Sequence, residues 1–264
     1  MMKPLSWYKG LAEARRRREQ GFFLIEGRRA VDQIRATAPA GIDEILVTEQ
    51  LSSECSGYGA FACPVRVVTA RQLAAIGSAK TPQGIAAVVR IPEGSYENGL
   101  PGETGDRLLL LEGVQDPGNV GTCIRTAAAF DFNGVILSEA CADAFSPKAV
   151  QASAGSVLSV WTRRTERYLD VAEELKKKGF ALIAADCEGA SLTPGHGNRA
   201  PCVIMLGSEG AGLGEKLLAL ANEKIRIPMN GRKAGSLNVA AAGAILMFQV
   251  SGALPDIKGE GEGR

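Results

Sequence analysis

Two charged side chains sit in glycine-bearing segments that follow buried apolar runs, and chemistry is to be sought there first. Arg125 stands four residues after Gly121, and Glu209 lies inside Gly207-Ser208-Glu209-Gly210-Ala211-Gly212. A guanidinium stays protonated and forks onto phosphate or a developing oxyanion, and a glycine-rich turn lets a ligand approach the backbone. Taken alone, however, Arg125 is better read as a surface ion pair and Asn119 as a helix cap, and Glu209 has a helix-start carboxylate as its alternative. The only histidine, His196, lies in a polar turn without an acid or nucleophile beside it, so no catalytic histidine is expected. Cys55, Cys63, Cys123, Cys141, Cys187 and Cys202 show neither close pairing nor zinc spacing. No metal and a reducing, cytoplasmic setting are the expectation. Gly210 to Glu215 lacks the last glycine of a dinucleotide fingerprint and comes late in the chain, which leaves an oxidoreductase as a weak alternative.

The elements around these residues read as an α/β framework. Leu108 to Leu111 is a fully buried strand, and Asp116-Pro117-Gly118 is a turn. A helix starts near Asn119, with Asn119 at its cap and Gly121 leaving room beside Arg125 on one face. Gly134 to Leu137 returns as a parallel strand, which puts the ligand end at Asn119. Val203 to Leu206 is a second buried strand, followed by the glycine-rich turn and a helix. Ile225 to Met229 is a third strand, which Pro228 must end or leave at an edge. Ser236 then caps a helix from Leu237 to Val250, whose Ala240-Ala241-Ala242-Gly243-Ala244 run admits close neighbours; burial on nearly every side is expected.

Three blocks in this framework, Asn119-Val120-Gly121-Thr122-Cys123-Ile124-Arg125, Leu206-Gly207-Ser208-Glu209-Gly210, and Ile227-Pro228-Met229 with Ser236-Leu237-Asn238, resemble the SpoU (TrmH-type) RNA 2′-O-methyltransferases of the SPOUT superfamily. They cover roughly the C-terminal half of the chain. The resemblance implies a parallel-sheet SPOUT domain with a C-terminal trefoil knot, S-adenosylmethionine as methyl donor, RNA as acceptor and a homodimer. It implies cofactor contacts from Leu206, Gly207, Glu209, Ile227, Met229, Ser236, Leu237 and Asn238. It implies catalytic roles for Arg125, Asn119, Glu209, Ser236 and Asn238. Because a guanidinium does not deprotonate, clamping an RNA phosphate and steadying the oxyanion suits Arg125 better than acting as base. Asp143 to Gly155 is also similar to the family; Pro147 there fits a first helical turn, Lys148 suits a phosphate or solvent, and Gln151 stands where many relatives have a basic residue.

The N-terminal portion reads as a smaller α/β unit: strands at Phe22 to Ile25, Ile42 to Thr48, Val65 to Thr69 and Gly84 to Val89, helices at Arg28 to Thr37 and Ala70 to Ile76. Phe23-Leu24-Ile25-Glu26-Gly27 and Gln83-Gly84-Ile85 resemble the substrate-binding domain similar to ribosomal protein L30e. Residues 1–35 carry nine Lys or Arg against four Asp or Glu, so this segment holds +5 and the remainder −4. Arg15-Arg16-Arg17-Arg18 centres a basic arm suited to RNA phosphates, or a solvated helix face. Proline and glycine between Pro92 and Asp106 mark the boundary: 1–96 for RNA binding, 97–106 as linker, 107–252 for catalysis, and a disordered tail at 253–264. No signal peptide or membrane span is visible. The expected activity is ribose 2′-O-methylation of RNA, 23S ribosomal RNA first, with tRNA or a non-enzymatic RNA-binding relative as alternatives.

Overall fold

The structure, a computed structural model, describes residues 3–54, 63–79, 81–193, 200–231, 233 and 235–251. His196 and the tail at 253–264 lie outside them.

The N-terminal portion contains α1 (Leu5–Gly10), α2 (Ala14–Gln20), β1 (Phe22–Glu26), α3 (Arg28–Thr37), β2 (Ile42–Thr48), α4 (Glu49–Glu54), β3 (Val65–Val68), α5 (Ala70–Ile76) and β4 (Ile85–Arg90). Its four strands form a sheet in the order β1-β4-β2-β3. The C-terminal portion contains β5 (Arg107–Leu111), α6 (Pro117–Ala129), β6 (Gly134–Ser138), α7 (Pro147–Ser153), β7 (Trp161–Thr165), α8 (Tyr168–Lys177), β8 (Ala181–Ser191), β9 (Cys202–Leu206), α9 (Glu215–Leu220), β10 (Glu223–Arg226) and α10 (Val239–Ser251). Its six strands run β10-β8-β9-β5-β6-β7, every pair parallel.

Parallel strands covered on both faces need apolar residues throughout, and β5 and β9 supply them. Because successive side chains alternate, Leu109, Leu111, Ile204 and Leu206 join one core with α6 and α10, while Leu108, Leu110, Val203 and Met205 join another with α8 and α9. The two central strands therefore deliver their carboxyl ends, Leu111 and Leu206, to the same edge of the sheet. At that edge the chain enters α6 and the glycine-rich turn.

Several local expectations change. The strand expected at Ile225 to Met229 is β10, which stops at Arg226 on the sheet edge, so Ile227, Pro228 and Met229 lie beyond it. Helix α10 is not buried all round: Ile245 and Phe248 are 37% and 57% exposed, and Phe248 meets Phe130 of the α6 end at 5.7 Å between ring centroids. Gly243 does permit close approach, since a Cβ there would stand 2.7 Å from Leu206 Cδ1. Gly121 does not make room for Arg125. A Cβ at Gly121 would stand 2.2 Å from the Ala149 carbonyl oxygen and 2.8 Å from Ala152 Cβ, so the glycine lets α6 and α7 touch.

The basic arm is also divided. Arg15, Arg16 and Arg18 are exposed, but Arg17 is only 2% exposed. Its guanidinium donates to the carbonyls of Leu11 and Ala12 at 3.0 and 2.7 Å and to Asp143 Oδ2 at 2.6 Å. Asp143 Oδ1 accepts from the Tyr96 hydroxyl and the Phe145 N–H, each at 3.0 Å. Burial, with the Asp143 charge behind it, pushes the Tyr96 phenol well above its ordinary range. Phe23 and Phe145 add a ring contact at 5.1 Å, so the N-terminal sheet and the turn before α7 share a packed seam.

Candidate active site

Asn119 is the third residue of α6, and Asp116 caps that helix in its place. Asp116 Oδ1 accepts the Asn119 N–H at 3.0 Å, and Pro117 takes the first position, where no N–H is needed. The Asn119 side chain is thereby released for longer-range contacts. Its Nδ2 donates to Glu209 Oε1 at 2.5 Å, and its Oδ1 accepts from Asn238 Nδ2 at 3.0 Å. Asn238 Oδ1 in turn accepts the N–H groups of Ala240 and Ala241 at 2.9 and 3.3 Å. Asn238, not Ser236, thus caps α10, which begins at Val239.

The orientation of each amide in this relay follows from its neighbours. An ionised Glu209 can only accept, so Asn119 must turn its NH₂ toward it and its oxygen toward Asn238. Asn238 must then present its NH₂ to Asn119 and its oxygen to the helix N–H groups. Residues 119, 209 and 238, far apart in the chain, become one hydrogen-bonded unit.

The turn after β9 is rigid by construction. Ser208 and Gly212 exchange backbone hydrogen bonds of 3.1 and 2.9 Å, and a Cβ on Gly207 would fall 2.0 Å from the Gly212 carbonyl carbon. Only glycine closes this loop. Glu112, at the end of β5, holds its far side: Oε2 accepts the Gly214 N–H at 2.6 Å and Oε1 the Tyr168 hydroxyl at 2.8 Å. Burial and that carboxylate push the Tyr168 phenol up to about 12.

Ile227 packs on the core that contains Leu206 and Val239, which brings the ends of β9, β10 and the start of α10 together. Beside them Met229 and Leu237 remain 41% and 37% exposed. Among the described residues, the main chain of Ser236 and Leu237 makes no hydrogen bond to another main-chain group. Exposed apolar side chains next to open backbone groups fit a ligand with an apolar ring edged by hydrogen-bonding atoms, as an adenosyl group is.

Two expected residues stand apart. Arg125 is exposed on α6, and neither it nor the Ser236 side chain makes a hydrogen bond or ion pair among the described residues. Lys148 pairs with Asp116 at 2.6 Å, and this bond, with the Asn119 N–H, holds the Asp116 carboxyl below the usual range. Cys123 is fully buried beneath α10, and that burial pushes its thiol up to about 12. No cluster of metal-ligating side chains occurs among the described residues.

Sequence reasoning missed Asp116 and Glu112. An Asp directly before Pro-Gly is a legible cap signal. Nothing local marks Glu112, whose partners lie 56 and 102 residues away.

Residues 106–248 match the profile of the SpoU rRNA Methylase family, more than half of the chain. The chain belongs to this family. The chain also matches, over residues 7–87, the MRM3-like substrate binding domain. A relative, 23S rRNA (guanosine(2553)-2′-O)-methyltransferase RlmP of Bacillus subtilis (strain 168), is 32% identical over 247 residues, or 93% of this chain and 94% of its own. The AdoMet-bound rRNA methyltransferase from Sinorhizobium meliloti superposes with a TM-score of 0.75 at 28% identity, over 93% of this chain and 92% of that one. A crystal structure of an RNA 2′-O ribose methyltransferase gives 0.76 at 29% identity, over 93% of each chain. The SpoU assignment read from the three blocks is borne out, and the relay of Glu209, Asn119 and Asn238 lies wholly within the matched segment.

Proposed function

We propose that the protein transfers a methyl group from S-adenosylmethionine to a ribose 2′-hydroxyl of RNA, with 23S ribosomal RNA as substrate. The observation that carries this reading is the relay joining the three family blocks through Asn119, Glu209 and Asn238. The relatives named above support the activity, and the RlmP likeness over nearly the whole chain favours ribosomal RNA over tRNA.

The cofactor would lie against Leu206, Gly207, Ile227, Met229, Ser236 and Leu237, and when bound it supplies an electrophilic methyl group on sulfonium. The rest of the task is positioning, which contributes most when the reacting groups are held in line. The turn closed by Gly207 and clamped by Glu112 fixes Glu209. Glu209 fixes Asn119, and the two amides orient the ribose. Arg125, exposed and permanently charged, grips the adjoining phosphate and steadies the oxygen as its proton passes to solvent water, with the neutral thioether S-adenosylhomocysteine as the leaving group. No metal enters this scheme.

The same reading includes the family's knot, formed where the turn at Gly207, the end of β10 and the start of α10 converge, and a homodimer. The exposed apolar strip of Ile245 and Phe248 with Phe130 supports a self-complementary contact between two copies of α10 and α6. A reducing, cytoplasmic setting agrees with cysteines that form no disulfide among the described residues. No helix of the described residues is long and apolar enough to cross a membrane.

The deciding experiment is single-turnover transfer of labelled methyl to ribosomal RNA from cells lacking the protein. The product is checked for alkali resistance at the modified linkage. Arg125→Ala should reduce transfer about a hundredfold or more while cofactor affinity stays near wild type, and Arg125→Lys, a point charge in place of a fork, should restore little. Methyl found on a base, or full activity in Arg125→Ala, refutes the assignment; binding without any transfer would leave the non-enzymatic relative.

A further inference from the structure

One hollow lies away from the relay, in the N-terminal portion. A cleft of about 600 Å³ opens between α3, α5 and the ends of β2 and β4, within the roughly 300–1,000 Å³ usual for small-ligand sites. Leu51, Leu73, Ala74 and Pro82 give it apolar walls, and Gln50 and Gln83 add amides. Among the described residues, no acidic side chain lines it. Gln83 is already oriented: its Oε1 accepts the Arg28 N–H at 3.0 Å, which turns its NH₂ outward as a donor. A second hollow, about 570 Å³, shares Arg28 and Gln83 with it and continues along α3 past Arg29, Asp32 and Gln33.

That path leads toward the active site. Gly155, just after α7, lies so close to α3 that a Cβ there would stand 2.7 Å from the Ala30 carbonyl oxygen and 2.9 Å from Gln33 Cβ. At its other end α7 carries Lys148, which bonds Asp116, the cap of the helix holding Asn119. Helices α3 and α7 therefore connect the cleft, through direct contacts, to the cap of the helix that carries Asn119.

Resting on the reading of the chain as an RNA-modifying enzyme, we infer that the cleft between α3 and α5 takes one unpaired nucleobase of the substrate RNA, several nucleotides from the methylated ribose, with Arg29 on the adjoining phosphate. RNA sequence is read mainly on unstacked bases, whose flat faces need apolar walls and whose edges need fixed donors and acceptors. The cleft offers Leu51, Leu73 and Pro82 for the face and the oriented Gln83 amide for the edge. Arg29, exposed and without an ion pair among the described residues, supplies the charge that backbone contacts use. The base bound here would select which RNA segment reaches the relay.

The test uses the full chain, its cofactor and large-subunit ribosomal RNA from cells lacking the protein. Ultraviolet cross-linking should place nucleoside adducts on peptides spanning 48–51 or 70–84. Ala74→Trp changes an exposed residue of α5 and fills the cleft. It should remove those adducts and weaken RNA binding about tenfold, the loss of one base contact, with cofactor affinity as in wild type. Arg29→Ala should lower the salt dependence of RNA binding by about one phosphate's worth. If wild type methylates this RNA while both variants bind it unchanged, or if adducts fall only elsewhere, the cleft assignment is overturned and the methyltransferase reading stands. If wild type transfers no methyl yet Ala74→Trp abolishes the adducts and the affinity, the cleft assignment stands alone. Retention of RNA affinity with loss of binding to a protein partner would make the cleft a protein-docking site and overturn the inference.

Discussion

Replacing Asn238 by Asp and by Ala separates two functions that one side chain performs. Its oxygen caps α10 through Ala240 and Ala241, and its nitrogen supports Asn119. Aspartate keeps an acceptor over the helix N–H groups and adds a negative charge where the helix dipole favours one, which offsets part of the cost of the lost bond to Asn119, so Asn238→Asp should melt above Asn238→Ala. Alanine loses the cap, a cost of about 1 kcal/mol, which lowers the melting temperature by roughly 2–4 °C in a chain of this size. Methyl transfer should rank the variants the other way. In Asn238→Asp a carboxylate oxygen faces Asn119 Oδ1; turning the Asn119 amide would only set its oxygen against Glu209. Either outcome removes a hydrogen bond and adds a repulsion. At about 1 kcal/mol for the bond and a similar amount for the repulsion, single-turnover transfer should fall roughly thirtyfold. Asn238→Ala leaves Asn119 unsupported without repelling it and should fall about fivefold. Thermal melting and labelled-methyl transfer on the same preparations decide the point. Asn238→Asp that is as active as wild type, or that melts as low as Asn238→Ala, refutes the relay.

Three further outcomes follow from the packing. Gly121→Ala forces a Cβ into the Ala149 carbonyl, and urea unfolding should show a loss of about 1–3 kcal/mol or more, although the residue touches no ligand. Within the basic arm, Arg17→Ala strands Asp143 in a buried seam and should destabilise the chain by about 3–5 kcal/mol, whereas Arg16→Ala should leave stability within about 0.5 kcal/mol and weaken RNA binding at low salt. Tyr8 and Tyr168 are both raised to about 12 by burial, each with a carboxylate partner, and Tyr96 is raised as well. A phenol raised in the folded chain adds stability that is complete below its unfolded value near 10 and is lost as pH rises through about 12. In an absorbance titration these three should ionise only with alkaline unfolding; full ionisation near pH 10 in a chain still folded would contradict the burial.

Much of this protein is written locally in its sequence. The runs Leu108 to Leu111 and Val203 to Leu206 can only be strands covered on both faces, and the glycines at 207 to 212 mark the loop that follows, because periodicity and backbone freedom are properties of neighbouring residues. The three blocks named the family for the same reason: each is a short contiguous motif. Helix starts were less legible. Asn119 and Ser236 are good caps in isolation, yet Asp116 and Asn238 hold those places, since a cap is settled by where the helix docks as well as by residue type.

What only the tertiary structure decided are the pairings across long separations. Asn119 meets Glu209 at 90 residues and Asn238 at 119, while Arg17 meets Asp143 at 126. No window of sequence distinguishes Arg17 from Arg16, because on a single helix the four arginines differ only in the face they present. The sheet order set that face. By bringing β5 and β9 side by side and seating α2 against the turn before α7, it buried one guanidinium as a structural tie and left its neighbours exposed, Arg15 beside Glu19, Arg16 beside Glu13 and Arg18 over the Tyr96 ring.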